Sequence, residues 1–188
     1  PNEIPQMSVG LLLDESGSMC SCDRCTYARS SAIILYDFCK ALHIPVTVYG
    51  HSTSGSSVEL YSYAEFESID NDDKYRLMDI AARGSNRDGA ALRFVAEQLV
   101  KRPEEGKILI LVSDGQPAAP GYYGSAAEED LRGIKQEYRR KGVLFIAAAI
   151  GEDKQNIERI YGDSFMDITD LNQLPVKLTA AVKRHMRV

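Results

Sequence analysis

No apolar run in this 188-residue chain approaches the ~18 residues that a membrane-spanning helix needs. No charged segment followed by an apolar one opens it as an export signal would. The sequence therefore predicts neither a membrane span nor secretion, and a cytoplasmic location is expected. A basic surplus is also lacking: the net charge of -5 sets the chain against nucleic acid or an anionic membrane as its main partner. Internal repeats and low-complexity linkers are absent too, which predicts one domain over residues 1–188. The chain begins at Pro1 rather than at an initiator Met, so a domain excised from a longer protein is the expectation. Cysteine is scarce, at four residues, and a chain of this size does not need disulfides to hold a core.

What is present is an alternation of apolar runs and amphipathic stretches, which predicts an α/β fold with a mostly parallel central sheet and helices on both faces. Residues 7–13 read as the first strand. Residues 27–42 read as a helix, with Ala28, Ala32, Leu35, Phe38 and Leu42 at helical spacing. A second strand is expected over 45–50. The polar run 51–57 then reads as a hairpin into 58–63, an antiparallel edge strand. Residues 73–82 look helical, and the polar turn 86–89 leads into a helix carrying Ala91, Phe94, Val95, Leu99 and Val100. The most apolar strand, 107–112, ends at Ser113-Asp114-Gly115. A Gly/Pro loop over 116–124 precedes a helix over 125–140 and a strand over 143–150 that Gly151 ends. A short helix, a short strand near 165–168 and a final helix over 174–186 complete the domain. The basic end of that helix, Lys183, Arg184, His185 and Arg187, suits a helix C-terminus.

Directly after the first strand the chain reads Asp14-Glu15-Ser16-Gly17-Ser18-Met19. One carboxylate and two hydroxyls at i, i+2 and i+4 form an oxygen-only claw, and Gly17 allows the backbone to fold tightly enough for them to converge. Hard divalent cations, Mg²⁺ foremost and Mn²⁺ or Ca²⁺ as alternatives, take oxygen ligands of this kind. So few protein ligands leave room for one from outside. Glu15, by alternation, is expected to face solvent. In an open α/β sheet ligands gather where loops leave the carboxyl ends of strands at a switch point. Three such loops are present here: Asp14 to Ser18, Asn86 to Asp88, and Ser113 to Asp114. Each alone is an ordinary loop or cap. Together they suggest a common point between the first and fourth strands.

This constellation resembles the von Willebrand factor A (VWA) family and its metal-ion-dependent adhesion site (MIDAS). The D-x-S-x-S motif is matched by Asp14, Ser16 and Ser18, and the Asp that follows the fourth strand by Asp114. The family's middle motif supplies a Thr; here Asn86 stands in that place and Asp88 follows two residues later. The stretch Asn86-Arg87-Asp88-Gly89-Ala90-Ala91-Leu92 resembles cobaltochelatase CobT-type domains, and the tract from Ser113 through Leu131 and the tail from Asp170 to Met186 are similar to the nitric-oxide-reductase activation (NorD) branch. The resemblance implies a Rossmann-like three-layer fold and a non-catalytic binding module. It implies a metal site of Asp14, Ser16, Ser18, Asn86, Asp88 and Asp114 that presents Mg²⁺ to a partner's Asp or Glu. Bacterial members of the branch are similar to partners of MoxR-like or chelatase AAA+ ATPases. From the residues themselves, an Asn86 carbonyl replaces a Thr hydroxyl as a neutral ligand, while Asp88 sits behind the ligands or caps the following helix.

Cys20, Cys22 and Cys25 crowd the stretch after the claw, where a thiol site for zinc or an iron–sulfur cluster, a redox role or plain unligated thiols are the open readings. Cys39 lies ~20 Å along a continuous helix and reads as a small core residue. Tyr122 and Tyr123, on the Gly/Pro loop, read equally as partner contacts or as loop packing. Three rival functions remain. An aspartate-based phosphatase needs an acid two residues after its nucleophile, and Ser16 stands there. A serine hydrolase at Gly50-His51-Ser52-Thr53-Ser54 lacks the last Gly of G-x-S-x-G. A metal-independent oligomerisation domain leaves the claw unexplained.

Overall fold

The computed structural model describes residues 6–68, 70–149 and 153–185, without the side chains of Cys22, Val182, Arg184 and His185. Ile150, Gly151, Met186 and Arg187 lie outside the described residues. Within them the strands are β1 (Met7–Asp14), β2 (Val46–Ser54), β3 (Ser57–Ala64), β4 (Gly106–Val112), β5 (Ala118–Ala119), β6 (Tyr122–Tyr123), β7 (Val143–Ala149) and β8 (Phe165–Asp167). The helices are α1 (Arg24–Ala41), α2 (Asp73–Arg76), α3 (Asp88–Val100), α4 (Gly124–Arg140), α5 (Lys154–Tyr161) and α6 (Leu174–His185).

Six strands form one sheet in the order β3-β2-β1-β4-β7-β8, and β5 and β6 pair separately. All neighbours in the large sheet run parallel except β2 and β3. Side-chain alternation assigns the two faces. Val9, Leu11 and Leu13 of β1 pack with Ala28 and Leu35 of α1 and Leu174 and Leu178 of α6. Leu12 packs on the other face with Leu92 of α3, Leu131 of α4 and Ile157 of α5. The strand order reverses between β1 and β4, as the sequence suggested. This three-layer arrangement is the expected fold.

Two elements depart from the sequence reading. Residues 51–54 belong to β2 rather than to the turn, because the ladder runs on from His51↔Leu60 to Ser54↔Ser57 and the chain reverses only at Gly55, whose φ is +60. The expected helix over 73–82 stops at Arg76, with a 3₁₀ turn over Leu77–Asp79. Tertiary bonds draw the chain out after Ile80: Arg83 N donates to Glu15 O at 2.6 Å, Gly17 N donates to Gly84 O at 2.6 Å, and Ser85 bridges to Thr53. Between β1 and α1 a 3₁₀ helix over Gly17–Asp23 carries the chain onward.

Candidate metal centre

Asp14 is the last residue of β1 and stands in register with His51 of β2, while Ser113 directly follows β4. The claw is built locally. Ser16 N donates to Asp14 Oδ1 at 2.8 Å, and the Ser16 and Ser18 hydroxyls lie 2.9 Å apart. Asp14 and Ser16 are buried and Ser18 is exposed, so the claw reaches the surface at one end. Arg24, the first residue of α1, donates to Ser18 O and pairs with the buried Asp153 at 2.6 and 2.7 Å, which braces the outer edge of the claw.

The other two loops meet the claw as the sequence proposed. Asp14 Oδ2 accepts from Ser113 Oγ at 3.0 Å and from Asn86 Nδ2 at 3.1 Å. Asp114 is buried; its Oδ1 accepts from Gln116 N at 3.0 Å, and its Oδ2 has no hydrogen-bond partner. Asn86 differs from the expected neutral ligand. Its carbonyl Oδ1 accepts from Ala118 N at 2.6 Å, which turns the amide nitrogen towards Asp14 and Asp88. That orientation is dictated by the Ala118 N–H, which only an oxygen can face. Asp88 is the first residue of α3, whose N-cap residue, Arg87, makes no side-chain capping bond.

Two residues were misjudged or missed. Glu15 is 1% exposed rather than solvent-facing. Tyr63 Oη and Arg83 Nε donate to its two carboxylate oxygens, the latter at 2.6 Å. Its carboxyl lies where a Cβ on Gly50 would stand. His51 is fully buried, with Nε2 3.1 Å from Asp88 Oδ1. Nothing in its neighbours along the chain signals this, because its partners come from β1 and α3. Its place inside β2 also rules out a nucleophile elbow at Gly50 to Ser54.

Cys20, Cys25 and Cys39 are free, and among the described residues no three His, Cys, Asp or Glu side chains form a group able to hold a metal ion. The Cys22 side chain lies outside the described residues. Cys39 is fully buried in the core as expected, and burial pushes its thiol up to about 12. Tyr122 donates to Asp130 Oδ2 at 2.8 Å, whereas Tyr123 is 68% exposed.

The buried charges of this centre share one direction. Burial raises the Asp14 carboxyl above its ordinary value, and Asp88 adds to the shift. Burial likewise raises Asp114, aided by Asp14, and raises Glu15 against the bonds from Tyr63 and Arg83. Burial would lower the His51 imidazole, but Asp88, Asp14 and Glu15 together raise it. Above about pH 3.9 the unfolded chain sheds carboxyl protons that the fold retains, so native stability falls as pH rises through the raised folded values. A raised histidine acts the same way, its contribution present below ~6.5 and lost as pH passes its folded value. Carboxylates lowered by ion pairs, such as Asp130 beside Arg93, lose their contribution only below the ordinary carboxylate range. In EDTA the melting temperature is therefore expected to fall as pH rises above the ordinary carboxylate range and on past the ordinary histidine value, by roughly 2–4 °C per kcal/mol lost. Excess Mg²⁺ should flatten the slope, and a flat or rising profile in EDTA would contradict the assignment.

Comparison with known proteins bears on the family and the fold. Residues 75–186 match the family described as the cobalamin biosynthesis protein CobT VWA domain. The protein YojO of Bacillus subtilis (strain 168) is 26% identical over 188 residues, covering 93% of this chain and 29% of its own length. NorD of Brucella suis biovar 1 (strain 1330) is 34% identical over 95 residues, covering 49% of this chain and 15% of its own length. The chain thus spans less than a third of either relative. Among solved structures, the mussel byssus proximal thread matrix protein 1 with a zinc-occupied MIDAS motif superposes with a TM-score of 0.63 at 20% identity, over 95% of this chain and 47% of that one. Manganese-loaded TRAP protein of Plasmodium vivax gives a TM-score of 0.64 at 15% identity, over 90% and 72%. At such identities the likeness is one of fold.

Proposed function

This chain belongs to the CobT VWA-domain family, and on that footing we propose that it is a non-catalytic, divalent-cation-dependent protein-interaction module. The observation that carries the reading is Asp114 Oδ2, a buried carboxylate oxygen that makes no hydrogen bond within 3.5 Å, at the same strand-end switch point as the Ser16–Ser18 hydroxyl pair and Asp14. Leaving such an oxygen buried and unpaired costs free energy that a cation would recover. Asp14, Ser16, Ser18 and Asp114 would hold the ion. The bound ion supplies a hard acceptor position for a carboxylate oxygen. Two carboxylates and two hydroxyls fit Mg²⁺, which needs few protein ligands, with Mn²⁺ and Ca²⁺ as alternatives. Asn86 ties Asp14 to Asp88 and keeps the middle loop against the claw.

The incoming ligand on this reading is an Asp or Glu of a partner protein, and the family points to an AAA+ ATPase of the MoxR-like or chelatase type. Free thiols at Cys20, Cys25 and Cys39 suit a reducing, cytoplasmic setting. Among the described residues no helix is long and apolar enough to cross a membrane. Calorimetric titration with MgCl₂ tests the cation: Ser18→Ala should weaken binding by about ten-fold, the lower end of what losing a supporting ligand costs. The partner is tested by measuring affinity for a MoxR-like AAA+ ATPase of the same organism, in Mg²⁺ and in EDTA. Equal affinity in both would exclude the proposal.

A further inference from the structure

Strand β3 forms one lateral edge of the six-stranded sheet, and it is long: eight residues, against three for β8 at the other edge. Residues 57–62 pair with β2 without interruption, because the register shift of that ladder falls between Val48 and Tyr49. An edge strand turns alternate N–H and C=O groups away from its sheet, free to pair with another chain. Among the described residues, no backbone group outside β2 hydrogen-bonds to the backbone of 57–62. Folds usually guard such an edge with Lys, Pro, a bulge or a covering segment. The run Ser57-Val58-Glu59-Leu60-Tyr61-Ser62-Tyr63-Ala64 contains no Lys, Arg or Pro. Its single charge, Glu59, accepts from Tyr61 Oη at 2.6 Å.

The side chains along this edge complement those of a second copy. Val58 and Leu60 pack on the α3 side of the sheet. Tyr61 packs on the α1 side, where the Arg83 guanidinium lies 4.2 Å from its ring centre. Glu59, by alternation, shares the side of Tyr61. Two copies of an edge can join antiparallel about a two-fold axis perpendicular to the sheet, which keeps like sides together. Centred on Leu60, that axis pairs residues 57–63 and sets Leu60 against Leu60 and Val58 against Ser62. Each Glu59 then stands opposite Tyr61 of the other copy, beside its Arg83. Centring on Glu59 instead sets two carboxylates against each other, which is destabilising. Centring on Tyr61 sets Glu59 against Tyr63, whose hydroxyl already donates to Glu15.

We propose that β3 is a self-association edge: two copies of this chain pair β3 with β3, antiparallel and centred on Leu60, into one continuous sheet of six strands from each copy. The occupant is a second copy because the edge itself supplies the complement of its one carboxylate, in Tyr61 and Arg83. Backbone hydrogen bonds give the contact its strength, and the Glu59–Tyr61 pairs fix its register. The other edge, β8, is too short to repeat the pairing, so association closes at two. This inference goes beyond the cation reading and does not rest on it, since no residue of the claw belongs to the edge.

Sedimentation velocity over a concentration series tests it, in EDTA so that a cation plays no part. The wild type should pass from monomer to dimer and no further. Glu59→Lys, at an exposed position, should weaken the dimer by about two- to thirty-fold, the scale of two symmetric cross-strand pairs lost together. Glu67→Lys makes the same charge change at an exposed position outside β3 and should leave the dimer constant unchanged. Hydrogen exchange at low and high concentration locates the contact: the amides of 57–62 should gain protection as the dimer forms. The melting temperature of Glu59→Lys, measured where the wild type is monomeric, should match the wild type, which separates lost association from lost folding. If it does not, Ser62→Lys, also exposed and opposite Val58 in this register, is scored in its place. A wild type that stays monomeric throughout the series overturns the inference. So does a dimer that protects a different segment, or equal weakening by Glu59→Lys and Glu67→Lys. Any of these leaves the cation reading standing, because that reading is decided by the MgCl₂ titration.

Discussion

Asp14→Ala is expected to weaken Mg²⁺ binding by more than about 100-fold, since removing a direct carboxylate ligand should exceed the 10–100-fold cost of losing an outer one. Asp14 is the only ligand candidate that touches all three loops: Ser16 N of its own turn, Asn86 of the middle loop and Ser113 after β4. Its loss removes a charge and the common acceptor that draws these loops together. The effect on the metal-free fold is the balance of two opposed terms. Three donors lose a buried acceptor, at about 1–3 kcal/mol where a group stays unsatisfied. Against this, the variant is relieved of a carboxylate whose charge burial and Asp88 both disfavour. The diagnostic measurement is therefore the rise in melting temperature on adding Mg²⁺. It should be present in the wild type, by mass action on the native state, and absent in Asp14→Ala. A variant that keeps both the calorimetric signal and the Mg²⁺-dependent rise would remove Asp14 from the site.

Gly84→Ala should lower the melting temperature by roughly 2–12 °C, because overpacking of about 1–3 kcal/mol converts at about 2–4 °C per kcal/mol in a chain of this size. Gly84 sits where the segment after α2 presses on β2. A Cβ there would lie 2.5 Å from the carbonyl oxygen of Thr53, a backbone atom that cannot rotate aside. Gly84 N also donates to Ser52 Oγ at 2.8 Å, and its carbonyl accepts from Gly17 N in the claw at 2.6 Å. Displacing this residue must move Gly17, and with it the Ser16–Ser18 pair. Weaker Mg²⁺ binding should accompany the lower melting temperature. Unchanged metal affinity in a destabilised variant would show that the claw does not depend on this brace.

The legible parts of this protein were those whose chemistry is local. Asp14, Ser16 and Ser18 form their claw within five consecutive positions, and Asp114 follows the most apolar strand, so both could be placed from the order of strands alone. The hairpin was less legible. Residues 51–54 read as a polar turn because Ser, Thr and His suit loops, yet Ser52 and Thr53 find partners in the 84–85 segment, which covers that part of β2. Glu15 failed for the same reason. Alternation along β1 says only which side of the strand a residue takes, not whether that side is covered. Here Gly50 opens a slot by having no side chain, and Tyr63 and Arg83, 48 and 68 residues away, donate to the carboxylate.

The sequence by itself therefore determined the α/β layering, the switch point between β1 and β4 and the oxygen-rich claw at its mouth, because hydrophobic periodicity and short-range spacing encode them. Only the tertiary structure decided the burial of Glu15, the turning of the Asn86 amide towards two carboxylates and the pairing of His51 with Asp88. Each of these depends on donors and acceptors from strands and loops far apart in the chain. Their register is set by core packing, and no local pattern records it.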